Sequence, residues 1–386
     1  MNVLVCGGGI VGLAAAHALA ERGAAVTLCE RGSLGGGSTA RSAGGIRSQF
    51  STPINVKLSL ASKAVWNSFE DRFGVDIGFR SNGYLFLARS ESAAERFRED
   101  VRMQRDLGAE TEFLEPATAT KHCPELDAGN FRAATYNPTD GFADPNLAVQ
   151  GYAEAARGLG VEIRPKTPVT AIHRSGGRVV GVDVVENGTT ERLDVDYVVN
   201  ATGAWSAEFA EMAGATLPIS PRRRQIAMVQ PSKRVPESVP LTIDMETGSY
   251  FRPERDGAAL VGGHFAADDH AVDPDEYDQR MGMEWAAEAV ERAADCAAYF
   301  GPETRIKRGW AGLYAVTPDN HPIIEETLPG FVTAAGFSGH GFQHAPATAQ
   351  IVSDLIVDGD TDLVDVSMLA TDRFESGSPL TEQSVA

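Results

Sequence analysis

Residues 7–12 read Gly-Gly-Gly-Ile-Val-Gly, and their flanks constrain the fold more than anything else in the chain. Before them stands an apolar strand-type run, Asn2-Val3-Leu4-Val5-Cys6; after them a helical pattern covers 10–22, with Ile10, Val11, Ala14 and Ala18 on one stripe. Gly23 ends the helix and a second strand follows over 25–30, so the start of the chain is a βαβ unit. In GxGxxG, Gly7 permits the tight turn, Gly9 lets a pyrophosphate approach the backbone, and Gly12 lets helix and strand pack closely. The N–H groups at Ile10 and Val11 then face phosphate with the positive end of the helix dipole. The second strand ends in Glu30, eighteen residues after Gly12, where a carboxylate grips ribose hydroxyls, with Arg31 beside it. The plainer alternative is a glycine-rich turn with a surface glutamate.

The 386 residues leave room for two domains. No apolar run of eighteen residues occurs, so no membrane span is expected, and the N-terminus reads as a strand rather than a signal peptide. Cys6, Cys29, Cys123 and Cys296 lack ligand spacing. No metal site is expected, and reduced thiols make the cytoplasm the default compartment. The formal net charge of −19, with six lysines against twenty-eight arginines, repels nucleic acid and anionic membranes. The acids are spread along the chain, which suits a halophilic, acidic surface in a salt-rich cytoplasm better than a patch for a basic partner.

Further along, helices are expected over 54–73, 93–107, 147–159, 276–300 and 345–357. Strands are expected over 84–88, 161–164, 179–185, 196–201, 226–230, 248–252, 258–262 and 331–335. Cofactor-type segments stand at the beginning, middle and end, so the two domains interleave.

After Glu30 comes a small, hydroxylated loop, Gly35 to Arg47, which suits a chain running beside a long flat cofactor; an NAD enzyme would proceed to another βα unit. The buried-strand pattern Val198-Val199-Asn200-Ala201 runs into Thr202-Gly203, and Gly336-Phe337-Ser338-Gly339-His340-Gly341-Phe342 precedes a helix. With Ser38-Thr39-Ala40-Arg41-Ser42-Ala43-Gly44-Gly45-Ile46-Arg47 and the stretch from Trp310 to Ile324, these segments resemble the D-amino-acid-oxidase-type flavoproteins. The likeness is to their sarcosine oxidase and sarcosine/proline dehydrogenase β-subunit branch, and it covers nearly the whole chain.

The resemblance implies non-covalent FAD in an α/β, Rossmann-like domain of the glutathione-reductase variant, interleaved with an α+β substrate domain on a mixed sheet. The segments would be 1–80, 145–218 and 325–375 for FAD, 81–144 and 219–324 for substrate, and a flexible tail at 376–386. It implies that Glu30 binds the adenosine ribose and Val169 lies toward the adenine, with Ala201, Thr202 and Gly203 also at the cofactor. Arg41, Ser42, Ala43 and Gly44 would line the isoalloxazine. Gly339, His340, Gly341, Phe342 and Gln343 would meet its pyrimidine side, where the helix dipole favours negative charge. Arg47 matches the arginine that pairs with the substrate carboxylate, a role its fork suits. Three positions depart from the pattern: Gly312 stands where the related oxidases tether flavin through cysteine, Leu260 where they carry a lysine tied to oxygen reactivity, and Gln343 where a second lysine binds carboxylate. Leu260 leans toward a dehydrogenase.

Tyr250, His264 and Tyr314 are further pocket candidates, each with an ordinary packing alternative, and Arg222-Arg223-Arg224 reads as a solvated strand entry, with Arg224-Gln225 near the flavin as the alternative. The expected reaction passes a hydride from the C–H of a neutral amine to flavin N5, with Arg47 as anchor and no strong side-chain base. The substrate is a small amine or amino acid of sarcosine, glycine or proline type. A D-amino acid, a hydroxy acid, and a non-catalytic flavin-bearing assembly role are the alternatives. Electrons go to oxygen or an electron-accepting partner; family members occur as monomers and as subunits of heteromers, which leaves a homo- or hetero-oligomer open.

Overall fold

The structure, a computed structural model, describes residues 1–265, 269–375 and 381–384. Its first sheet has six strands in the order Ile323–Leu328, Phe331–Ala335, Tyr197–Asn200, Asn2–Cys6, Ala25–Glu30, Glu162–Pro165. All neighbours are parallel except the first two, which form a hairpin. Alternation along Asn2–Cys6 fixes what covers each face. Val3 and Val5 pack with residues of helices Ile10–Glu21, Pro53–Asn67, Pro145–Gly158 and Gly341–Val357. Leu4 and Cys6 pack under a three-stranded antiparallel meander (Val169–Ser175, Arg178–Glu186, Thr189–Asp194) and helix Ser206–Ala213. Burial on both faces is why these strands read as nearly continuous apolar runs.

The second sheet has eight strands: Arg305–Val316, Ser220–Gln230, Ala259–Gly263, Ser249–Pro253, Leu241–Asp244, Tyr84–Ala88, Ala133–Asn137, Glu112–Leu114. It is mixed because Leu241–Asp244 runs parallel to Tyr84–Ala88 within an otherwise antiparallel order. Leu85 and Leu87 join the core beneath helix Met283–Cys296, while Tyr84 and Phe86 pack with Ile243, Tyr250 and Leu260 on the other face. That second face looks toward the first sheet, and the cavities lie between.

Several expected elements change. The helix expected over 54–73 breaks at Ser68, whose Oγ donates back to the Ala64 carbonyl (2.9 Å). The helix expected over 276–300 shrinks to Met283–Cys296. Ahead of it, Asp273 and Asp278 accept the N–H of Asp275 and Arg280, and the Gly282 N–H goes to Gln225 Oε1, so the turn pattern is already satisfied by side chains. The last helix starts at Gly341, before its expected start at 345, and carries Pro346 inside. The Ala347 N–H turns to Ser62 Oγ (3.1 Å), and the Gln343 carbonyl accepts from Trp66 Nε1 (2.8 Å), so neighbours repair the interrupted ladder. Of the tail expected to be flexible, 376–380 and 385–386 lie outside the described residues. Within 381–384, Glu382 is fully buried while Thr381 and Gln383 are exposed. No helix among the described residues is long and apolar enough to cross a membrane, and all four cysteines are free and buried.

Candidate cofactor cavity and substrate pocket

Between the sheets runs a cavity of about 590 Å³. At one end stand Glu30, Arg31, Thr167 and Val169; in the middle Gly7, Gly9, Ile10 and Val11; at the other end Arg41, Ser42, Ala43, Gly312, Gly339, Gly341 and Phe342. Its waist depends on glycine. Gly7 has φ +107°, and a Cβ there would fall 2.4 Å from the Ala201 carbonyl oxygen; a Cβ on Gly12 would fall 1.9 Å from that of Gly7. Helix Ile10–Glu21 starts at Gly9, which brings no side-chain cap; the Ile10 N–H donates to Thr39 Oγ1 (3.3 Å), and Gly9, Ile10 and Val11 line the cavity. Glu30 accepts the N–H of Gly8 (2.7 Å) and Gly32 (2.6 Å), which orients its carboxylate at the cavity wall.

A loop from the second sheet's side reaches residues at both ends of the cavity. Asp275 Oδ1 accepts from Arg31 Nη2 (2.6 Å) and Trp205 Nε1 (3.0 Å), and Arg31 stacks on the Trp205 ring. Gln279 accepts from Arg41 Nη2 (2.7 Å). Ala201, Thr202 and Gly203 line the same space. A long channel with a helix N-terminus on its wall, an acid at one end and a glycine-lined slot at the other fits a flavin dinucleotide; Gly312 offers no thiol for a tether.

A second pocket of about 60 Å³ adjoins the slot, lined by Arg47, Tyr84, Leu241, Ile243, Tyr250, Tyr314, His340 and Gln343 among others. Three tyrosines close on three glycines: a Cβ would meet Tyr84 Oη at 2.0 Å from Gly45, Tyr250 Cζ at 2.2 Å from Gly262, and Tyr314 Cε2 at 2.3 Å from Gly339. Arg47 is 4% exposed. Its Nη1 donates to the Gln49 carbonyl (2.5 Å) and its Nη2 meets His340 Nε2 (3.1 Å) and the Ser384 carbonyl. Gln343 Oε1 takes its backbone N–H (2.8 Å), and its guanidinium lies over Phe50 and Phe86. Burial pulls its pKa down, opposed by Tyr84, Glu382 and Asp140, but no carboxylate among the described residues forms an ion pair with it. Burial first, then the positive Arg47, holds His340 well below the usual imidazole range. His340 is therefore neutral, and since the guanidinium can only donate, its Nε2 accepts and the ring proton sits on Nδ1.

Among the residues expected from the sequence, Gly44 stands behind the wall, its N–H on Ser42 Oγ (3.0 Å) and its missing Cβ making room for the Ala143 carbonyl. His340 and Gln343 line the small pocket rather than the long cavity. His264 lines neither; it stands edge-on to Tyr314 at 5.2 Å, and burial, then Arg224, pushes its pKa down to about 3. Tyr84, Lys63, Asp140 and Glu382 escape sequence reading. Only Tyr84 carried a signal, its place in the strand-type run 84–88.

A family model described as FAD dependent oxidoreductase (DAO) matches residues 2–355. The chain is 30% identical to FAD-dependent oxidoreductase domain-containing protein 1 of Xenopus laevis, covering 100% of this chain and 84% of that one. It is 29% identical to a glycine oxidase of Geobacillus kaustophilus, covering 92% of each. The crystal structure of L-proline dehydrogenase from P. horikoshii matches with TM-score 0.88 and 34% identity over 98% of both chains.

Proposed function

From a chain that belongs to the DAO family of FAD-dependent oxidoreductases, we propose an enzyme that oxidises the C–N bond of a small amino acid of sarcosine, glycine or proline type. FAD is its cofactor, and when bound supplies the two-electron acceptor. The observation that carries the substrate reading is Arg47, a buried guanidinium facing a small pocket without a carboxylate partner among the described residues. A buried cation with only neutral acceptors gains most from an anion that can take its fork in two parallel bonds.

Arg47 would bind and orient the substrate carboxylate. Neutral His340 keeps a proton on Nδ1 and leaves the guanidinium its full charge. Tyr84, Tyr250 and Tyr314 exclude water and limit side-chain size, their packing on glycines leaving no room to retreat. The N-terminus of helix Gly341–Val357 favours negative charge at the ring end of the slot. Segments 1–80, 145–218 and 325–375 serve the cofactor, and the four reduced thiols suit a cytoplasmic enzyme.

Anaerobic titration with sarcosine, proline, glycine and D-alanine tests this: one of them should bleach the flavin band, and admitting air then separates oxidase from dehydrogenase. Arg47→Met should retain FAD and lose about 10²–10³-fold in kcat/KM. An unchanged KM in that variant would remove the anchor, and bleaching by none of the four would point to the non-catalytic alternative.

A further inference from the structure

Close to Arg47 lies a second buried cation that the proposed reaction does not use. Lys63, on helix Pro53–Asn67, is 6% exposed, and its Nζ stands 2.7 Å from Oδ1 of the fully buried Asp140. Taking two charges out of water costs several kcal/mol per ion, and a well-packed apolar pair of similar volume commonly serves stability as well or better. Stability alone therefore does not account for the pair.

What the pair touches gives it another role. Asp140 Oδ1 also accepts the Ser48 N–H (3.0 Å) and Ser48 Oγ–H (2.9 Å), and its Oδ2 lies 3.4 Å from Gln49 Nε2. Lys63 Nζ reaches Thr139 Oγ1 (2.7 Å), and Asn137 Nδ2 donates to Ser48 Oγ (3.0 Å). Ser48 and Gln49 are the two residues after Arg47, and the Gln49 carbonyl is one of the guanidinium's own acceptors. Hydrogen bonds thus tie the ion pair to Ser48 and Gln49, and the backbone of these two residues carries the carbonyl that holds the guanidinium.

Charge acts between the same groups. Asp140 and Glu382 are the carboxylates whose fields act on Arg47. Glu382 is engaged by the Ser51 N–H and Oγ–H, Thr52 Oγ1 and Asn55 Nδ2. Asp140 is balanced by Lys63. Without Lys63, an unneutralised carboxylate would compete with any incoming anion for the guanidinium.

We propose that the Lys63–Asp140 pair is a positioning unit for Arg47, fixing residues 47–49 and cancelling the Asp140 charge so that the guanidinium stays available to a substrate carboxylate. The proposal rests on the anchoring role of Arg47.

The test uses holoenzyme and the perturbation of its flavin spectrum by two probes, pyrrole-2-carboxylate and its neutral carboxamide. Lys63→Met should weaken the carboxylate about tenfold and the carboxamide less than about twofold. Lys63→Met/Asp140→Asn, which removes both charges but keeps an acceptor for Ser48, should recover carboxylate binding to within about threefold. Asp140→Asn alone should leave the preference for carboxylate at or above that of the unaltered enzyme, a sign that does not depend on the Met variant folding. Equal weakening of both probes in Lys63→Met, no recovery in the double variant, or a lowered preference in Asp140→Asn would each overturn the proposal. Arg47→Met serves as the separate control. Should it leave the carboxylate preference intact, the anchoring role fails, whatever the ion pair does.

Discussion

The two ends of the binding site are assembled from different distances along the chain. Glu30 takes its hydrogen bonds from Gly8 and Gly32, so the carboxylate at the adenosine end is oriented from within one βαβ unit. Val169, Trp205 and Asp275 close that end from elsewhere in the chain. Arg47 is held by Gln343, His340 and Ser384, up to 337 residues away, and by a loop tied to Asp140. A local site needs only its own turn to form; a site gathered from far-apart segments exists only once both sheets and the last helix have docked. Damage should therefore differ in kind: loss of cofactor at the first end, loss of substrate selectivity with the flavin retained at the second.

The largest effect expected is at the local end. A methyl on Gly12 would sit 1.9 Å from the Gly7 carbonyl oxygen, so Gly12→Ala must push the helix off the strand. It should abolish flavin retention, read as loss of the visible absorption band in purified protein. A yellow, stable Gly12→Ala protein would break the comparison.

Next comes the distant end. Glu382→Ala removes the acceptor for Ser51, Thr52 and Asn55 and frees the segment carrying Ser384. KM for the amine should rise about tenfold while FAD content stays unchanged. Loss of FAD instead would mean that the two ends are coupled.

The smallest effect concerns Asp100, whose pKa burial, then Glu382, raises to about 7. Its folded pKa exceeds its unfolded one, so its contribution to stability is fully present below about pH 4 and is lost as pH rises through 7. Asp100→Asn should raise Tm at pH 8 relative to the parent and have less benefit at pH 5, measured by thermal melts at both. An equal shift at the two pH values would show that this carboxyl does not titrate there.

How much could be read beforehand follows the same division. The strands 2–6, 25–30, 84–88 and 331–335 appear at the expected bounds because apolar periodicity is a local property. The helix expected over 276–300 begins only at Met283 because side chains capture the N–H groups of Asp275, Arg280 and Gly282 ahead of it. Lys63 lies in the helix expected over 54–73, and nothing along that helix points to Asp140, its partner 77 residues away.

The glycine loop, the acid after the second strand and the alternation of cofactor-type segments were determined by the sequence itself, since each follows from residue chemistry along the chain, while the arginine at 47 came from the family resemblance. The ion pair under Arg47, the tyrosines seated on glycines and the burial of Glu382 were decided only by tertiary structure. Burial and charge balance depend on what packs against a residue, and for these residues the partners come from other elements, some of them hundreds of positions away.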